Sequence, residues 1–169
     1  PFELKSTENK IISLDDIKGE NGTLIMFICN HCPYVKVVTR EILEDCNELK
    51  KIGINSVAIC SNDFVNYPED SFDNMIKFSN VNQFSFPYLH DESQKVAKSY
   101  DAVCTPDFFG YNKNLELQYR GRLRELKNFI PVKDGESDLL KAMKQIAETG
   151  NGPQDQIPSA GCGIKWKYD

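Results

Sequence analysis

The sequence predicts an α/β domain: a central sheet covered by helices on both faces. Three observations carry this. Thr23–Cys29 (TLIMFIC) is a continuous apolar run of strand length, the pattern of a strand buried on both faces. Pro33 to Lys51 follows, with Val37, Val38, Ile42, Leu43, Cys46 and Leu49 at three- and four-residue steps. That is the period of an amphipathic helix. Ile54–Cys60 (INSVAIC) is a second buried run. Strand, helix and strand in this order imply a crossover between parallel neighbours.

The remaining elements follow along the chain. Phe2–Leu4 and Ile11–Leu14 are short strand-like pieces around the polar Ser6–Lys10, which reads as an N-terminal β-hairpin. Asp15 to Gly22 is polar with two glycines and reads as a loop or short turn. Gly53 stands just past the first helix as its stop. Residues 61–70 (SNDFVNYPED) are loop-like. Ser71 is placed to cap a helix over Phe72–Asn80, with Phe72, Met75, Ile76 and Val81 on one face. Phe86–Leu89 is a short strand, and Ser93–Tyr100 a short helix capped by Asp91 or Ser93. Phe108–Tyr111 is a strand opened by Thr105 and Pro106. A turn at Asn112–Asn114 returns the chain as Leu115–Tyr119. Ser137–Thr149 is a final helix with Leu139, Leu140, Met143, Ile146 and Ala147 on one face, ended by Gly150. Residues 1–150 thus form one domain. Residues 151–169 form an extended tail, packed on or near it and anchored by Trp166 and Tyr168.

The chain has 169 residues, 40% of them apolar and 27% charged. A chain of this length builds a core without a disulfide scaffold. Its net charge of −5 argues against a general nucleic-acid binder and against docking on anionic membranes. No apolar run approaches the ~20 residues of a membrane span. No signal peptide is visible and several cysteines are unpaired, so the cytoplasm is the expected location.

Six cysteines are the informative part of the composition. Cys46 and Cys60 fall in the patterns of a buried helix and a buried strand, where cysteine acts as a small hydrophobe. Cys29-Asn30-His31-Cys32-Pro33 is different, because it sits where a buried strand turns into a helix. The unpaired N–H groups and dipole of a helix start favour thiolate, the nucleophilic form. The spacing lets a small disulfide ring close in the first helical turn. A protonated His31 between the cysteines would lower the thiol pKa further. CxxC is also half of a common zinc site. Here the second half is missing: His31 and His90 are the only histidines, and Cys104 and Cys162 would have to fold back. The redox reading is therefore the stronger one.

Thr105-Pro106 stands ahead of an aromatic strand. Cis peptide bonds are essentially confined to X–Pro. A cis-Pro loop set against the CxxC would offer the backbone of residue 105 to an extended substrate chain.

Phe27-Ile28-Cys29-Asn30-His31-Cys32-Pro33-Tyr34-Val35 resembles the active-site turn of thioredoxin-like proteins of the AhpC/TSA, or redoxin, group. More narrowly it resembles a peroxiredoxin-like branch with an N-H-C-P-Y/F-V signature. The opening Phe2-Glu3-Leu4 with Asn9-Lys10 and Leu14 is similar to that group's entrance hairpin. Thr105-Pro106 matches its cis-Pro position, and Pro158 to Lys167 (PSAGCGIKWK) matches the C-terminal motif of the branch. The resemblance implies a thioredoxin fold, with a central mixed sheet flanked by helices, and thiol-based redox chemistry.

Two site assignments follow from the resemblance. In the thioredoxin pattern Cys29 attacks and Cys32 resolves. In the peroxiredoxin pattern the attacking residue is Cys32, but the threonine and proline positions before it hold Cys29 and Ile25, so the peroxide-activating pattern is broken. Arg120 and Arg122 are the candidates for that pattern's arginine. Thioredoxin's own Trp and buried acid are replaced by Ile28 and Thr23. The expected catalytic set is Cys29, Cys32, His31, Thr105 and Pro106, acting without an organic cofactor or a metal. The expected partners are a protein disulfide or hydroperoxide substrate and an external dithiol reductant such as a thioredoxin system. His31 should raise the reduction potential above thioredoxin's ~−270 mV by favouring the reduced thiolate. Cys104 and Cys162 are candidates for an extra relay thiol. The rival readings are a thioredoxin-fold copper chaperone, with His90 as its distant ligand, and a redox-inactive binding protein.

Overall fold

The computed structural model describes residues 1–132 and 134–167. The chain opens with a hairpin, β1 (Glu3–Ser6) and β2 (Ile11–Ser13), and a one-turn helix, α1 (Leu14–Ile17). Asp15–Gly22, expected as a loop or short turn, starts with the last residues of this turn, because Ser13 and Asp16 form a reciprocal capping box, with N–H to side-chain oxygen distances of 2.9 and 3.3 Å. β3 (Gly22–Phe27), α2 (Pro33–Lys36), α3 (Thr39–Lys50) and β4 (Ile54–Cys60) make the expected crossover. After a 3₁₀ turn at Pro68–Asp70 come α4 (Phe72–Val81), β5 (Tyr88–His90), α5 (Lys95–Ser99), β6 (Cys104–Thr105), β7 (Asp107–Tyr111) and β8 (Leu117–Gly121). A small ribbon, β9 (Leu126–Lys127) with β10 (Ile130–Pro131), precedes α6 (Asp138–Thr149) and the tail strand β11 (Cys162–Gly163).

The main sheet has seven strands in the order β2-β1-β5-β4-β3-β7-β8. β3 and β4, and β4 and β5, run parallel, while the other neighbours are antiparallel. The sheet is therefore mixed, with its parallel strands at the centre. β3 is buried along its whole length because its side chains alternate between two cores. Leu24 and Met26 face α3 and α6 with Ile42, Leu49, Leu139 and Met143. Ile25 and Phe27 face the other side with Ile17, Ala97 and Phe109. Each such side chain, wholly buried, contributes about 1.5–3 kcal/mol. Ile164 and Trp166 of the tail pack into this second core. Tyr168 lies outside the described residues.

Three local readings need correction. The single helix expected over Pro33–Lys51 is two helices. The Thr39 hydroxyl donates to the Val35 carbonyl at 2.7 Å, where a regular helix would use the backbone N–H of residue 39. Threonine back-bonding of this kind bends helices, and here it separates α2 from α3. Val81 does not share the buried face of α4: it is 80% exposed, while Met75 is fully buried. The α5 helix is shorter than expected. Its first N–H groups are held by the Asp91 carboxylate, from Val96 at 3.3 Å and Ala97 at 2.9 Å. Among the described residues no helix is long and apolar enough to cross a membrane.

Candidate active site

The CxxC turn begins where β3 ends. Ile28 still donates its N–H to Ile59 at 2.9 Å, so Cys29 leaves the sheet from a fixed point between β4 and β7. Cys32 is the N-cap of α2, with Pro33 in the first helical position, where a missing N–H costs nothing. The Cys32 carbonyl accepts the N–H groups of Val35 and Lys36, both at 3.0 Å.

The two residues between the cysteines are tied down from below. Asn30 donates its backbone N–H to Asp70 Oδ1 at 2.8 Å and accepts the Tyr88 hydroxyl on Oδ1 at 2.8 Å. Asn62 Nδ2 donates to the other Asp70 oxygen at 2.8 Å. The ring of His31 stacks on Tyr67, and its Nδ1 lies 2.7 Å from Asp70 Oδ2, off the direction of a ring N–H bond. Asp70 has no solvent exposure. Nothing in its loop sequence marks it out, yet it braces the whole turn.

Thr105 brings both thiols together from the opposite side. Its peptide bond to Pro106 is cis. Its Oγ1 lies 3.4 Å from Cys29 Sγ, and its carbonyl oxygen lies 3.4 Å from Cys32 Sγ. Cys29, Cys32, His31, Thr105 and Pro106 thus converge on one site.

The two sulfurs differ in character. The Cys29 thiol is driven far above its ordinary range, first because it donates to Cys32, then by burial and by the Asp70 charge. The Cys32 thiol is driven down, first by that donation from Cys29 and then by the Cys162 thiol and backbone and by Thr105, against the cost of burial. The Thr105 carbonyl accepts from the Cys32 thiol at 3.4 Å and opposes this. Cys46 and Cys60 are inert by burial, which pushes both up to about 12.

The tail completes the site. β11 runs antiparallel to β6, with Cys162 opposite Thr105 and Gly163 opposite Cys104. Cys162 packs against the cluster that contains Cys29 and Cys32. Cys104 points its thiol at the carbonyls of Pro106 and Ser159, at 3.7 and 3.8 Å. A groove of about 490 Å³, lined by Tyr34, Pro106, Leu126, Phe129 and Ala160 among others, opens beside the turn.

Arg120 and Arg122 bind elsewhere. Arg120 donates to the Asp101 carbonyl at 2.6 Å and lies over the Phe109 ring; Arg122 pairs with Asp138 at 2.7 Å. Thr23 accepts the Gly19 N–H at 3.0 Å, so its hydroxyl serves the loop before β3. Among the described residues, the groups able to hold a cation are Cys29, His31 and Asp70, whose ligand atoms lie within 4.8 Å of one another. The Asp70 oxygens already accept from Asn30 and Asn62. His90, the distant histidine of the copper reading, packs between Phe64 and Phe72.

Comparison with known proteins gives the following. The AhpC/TSA family profile matches residues 1–126. The chain is similar to the crystal structure of an uncharacterized conserved protein from Geobacillus kaustophilus, at 44% identity and a TM-score of 0.93, covering 100% of this chain and 90% of that one. It is also similar to the structure of a hypothetical protein from Sinorhizobium meliloti 1021, at 32% identity and a TM-score of 0.91, covering 99% and 92%. A putative thioredoxin from Neisseria meningitidis shares the fold at 19% identity, with a TM-score of 0.63 over 87% of each chain. The architecture is that of thioredoxin. Among curated proteins none matches the chain.

Proposed function

The chain belongs to the AhpC/TSA family, and from that membership we propose that it is a thiol–disulfide oxidoreductase working through a Cys29–Cys32 dithiol–disulfide couple. The single observation that carries this reading is the placement of both sulfurs against one cis-Pro loop: Thr105 Oγ1 lies 3.4 Å from Cys29 Sγ and the Thr105 carbonyl oxygen 3.4 Å from Cys32 Sγ. That is the arrangement needed for one sulfur to attack and the other to follow. In the reducing direction, a disulfide linking Cys32 to another sulfur is resolved by Cys29. The Cys29 sulfur bonds to Cys32, the other sulfur leaves as thiolate, and the Cys29 proton goes to it. The CxxC is oxidised by two electrons and the substrate disulfide is reduced to two thiols. An external dithiol returns the two electrons.

Disulfides are the proposed substrates rather than hydroperoxides. Cys32 stands where the family resemblance places a peroxide-attacking cysteine, but Cys29 occupies the threonine position. Arg120 and Arg122 are engaged away from both sulfurs.

The test is a titration of the purified protein through a series of glutathione redox buffers, with alkylation and peptide mapping at each point. Cys29 and Cys32 should lose alkylation together, at one midpoint, as an intramolecular disulfide forms. The midpoint should lie above thioredoxin's ~−270 mV, because a stabilised thiolate favours the reduced form. Independent oxidation of the two residues, or no linkage between them, overturns the reading.

A further inference from the structure

A CxxC that exchanges disulfides must be reachable, and this one is sealed. Cys29 is 1% exposed and Cys32 is not exposed at all. The backbone edge at Thr105, where an extended substrate chain would pair, is already taken by β11. The tail holds that edge by several bonds. Ile164 donates to the Val103 carbonyl at 3.0 Å, Lys165 donates to Asn62 Oδ1 at 3.0 Å, and Gln94 donates to the Lys165 carbonyl at 2.9 Å. Gly161 passes so close to the Thr105 carbonyl that a Cβ at this position would collide with it.

The seal carries a sulfur in the right place. Residues directly opposite each other on antiparallel strands project their side chains to the same face, with Cβ atoms ~4.5–5.5 Å apart. Cys162 is opposite Thr105, and the Thr105 side chain touches Cys29 while its carbonyl touches Cys32. Cys162 packs on the same cluster as both, yet it alone of the three keeps solvent exposure. We propose that Cys162 is the third redox thiol of this site, the sulfur through which the buried Cys29–Cys32 pair exchanges disulfides with partner proteins. The tail occupies the substrate's place, and its cysteine occupies the substrate sulfur's place.

This deepens the function proposed above and rests on it. When the Cys29–Cys32 disulfide is reset, the Cys162 thiolate attacks Cys32 Sγ. The Cys162–Cys32 bond forms, the Cys29–Cys32 bond breaks, and Cys29 leaves and takes up the proton that Cys162 gave up. No electrons are lost or gained in this step. A protein dithiol then attacks Cys162 Sγ, Cys32 leaves as thiolate, and the second thiol of the reductant resolves the mixed disulfide. The reductant becomes a disulfide, and Cys162 and Cys32 are returned reduced. Substrate disulfides enter by the reverse route. The charge balance favours the exchange. The Cys162 thiol is raised by burial and then by its hydrogen bond and charge interaction with Cys32. The contribution from Cys32 disappears once Cys32 is in a disulfide, so Cys162 ionises more readily when it is needed to attack.

Two experiments test this. First, reduced Cys29→Ser protein is given one equivalent of oxidised glutathione, quenched by alkylation and mapped by peptide mass spectrometry. A Cys32–Cys162 link with glutathione released is expected. Glutathione retained on Cys32 with Cys162 free overturns the proposal, and this assay needs no change at position 162. Second, the oxidised wild type, Cys162→Ser and Cys162→Ala are reduced by a protein dithiol. Both variants should slow by about tenfold or more, since an intramolecular relay with a high effective concentration is lost. Cys104→Ser should keep the wild-type rate. Wild-type rates in both position-162 variants overturn the proposal. A wild type that never forms the Cys29–Cys32 disulfide overturns the parent reading, which separates the two failures.

Discussion

Asp70 accepts the backbone N–H of Asn30 at 2.8 Å, across a sequence separation of 40 residues and with no exposure to solvent. One carboxylate thereby fixes the CxxC turn and sets a negative charge that raises the Cys29 thiol.

Asp70→Asn should remove that charge and bring the Cys29 thiol down toward its ordinary range. It should also destabilise the protein by about 1–3 kcal/mol, because an amide cannot accept from both Asn30 and Asn62 as the carboxylate does. Thiolate ultraviolet absorbance against pH reads the first effect and denaturant unfolding the second. An unchanged Cys29 titration would rule out Asp70 as a cause.

Cys32 in the reduced protein has a folded pKa below its unfolded value of ~8.5. Its ionisation therefore contributes stability that is fully present above ~8.5 and is lost as pH falls through the lowered folded value. Replacing Cys29 by Ser removes the largest cause of that lowering. Thiolate ultraviolet absorbance should persist into mildly acidic solution in the wild type and be lost at higher pH in Cys29→Ser. Identical titrations of the two proteins would show that Cys29 does not stabilise the thiolate.

Arg124 ties the segment before α6 to α3. Its Nε lies 2.8 and 2.9 Å from the two Glu41 oxygens, and its other nitrogens donate to the carbonyls of Val132 and Gly135 at 2.9 and 2.8 Å. The side chains are 8% and 13% exposed, so removing one leaves the other charge buried. Arg124→Ala should cost about 3 kcal/mol or more in chemical denaturation. Arg124→Lys should recover only a small part of it, because an ammonium cannot reproduce the planar fork. Full recovery by lysine would mean that charge alone accounts for the contact.

Asp45 accepts the Ser137 hydroxyl at 2.6 Å, and the same hydroxyl oxygen caps α6 by accepting the Leu140 N–H at 2.9 Å. Burial raises the Asp45 carboxyl to about 6, above its unfolded value of ~3.9. A raised carboxylate gives stability that is present below ~3.9 and is lost as pH rises through about 6. Asp45→Asn should therefore melt slightly higher than wild type at neutral pH and show a flatter stability profile across that window. A variant that loses stability at neutral pH would show that the charged form is preferred by the cap.

The local parts of this molecule are readable in the sequence. TLIMFIC and INSVAIC announce strands buried on both faces, and the CxxC falls at the end of the first because strand and helix periods are properties of neighbouring residues. Ser71 as a helix cap follows from the same short-range chemistry. The break between α2 and α3 is not visible in this way, because a threonine hydroxyl competes with a backbone N–H for one carbonyl and leaves the apolar pattern intact. Val81 leaves the apolar face expected for α4 because a residue nine positions from Phe72 falls on the far side of a helix.

The sequence by itself determined the layering of the fold, the place of Cys29 and Cys32 at a strand-to-helix turn, and the choice of Thr105-Pro106 as the loop that faces them. Only the tertiary structure decided that Asp70 braces the turn, that Thr105 touches both sulfurs, and that the tail strand sets Cys162 opposite Thr105. Layering follows from hydrophobic periodicity, which neighbouring residues encode. Charge placement follows from donors and carboxylates converging in space from residues 29, 70, 105 and 162, and their influence falls with distance through the protein rather than along the chain.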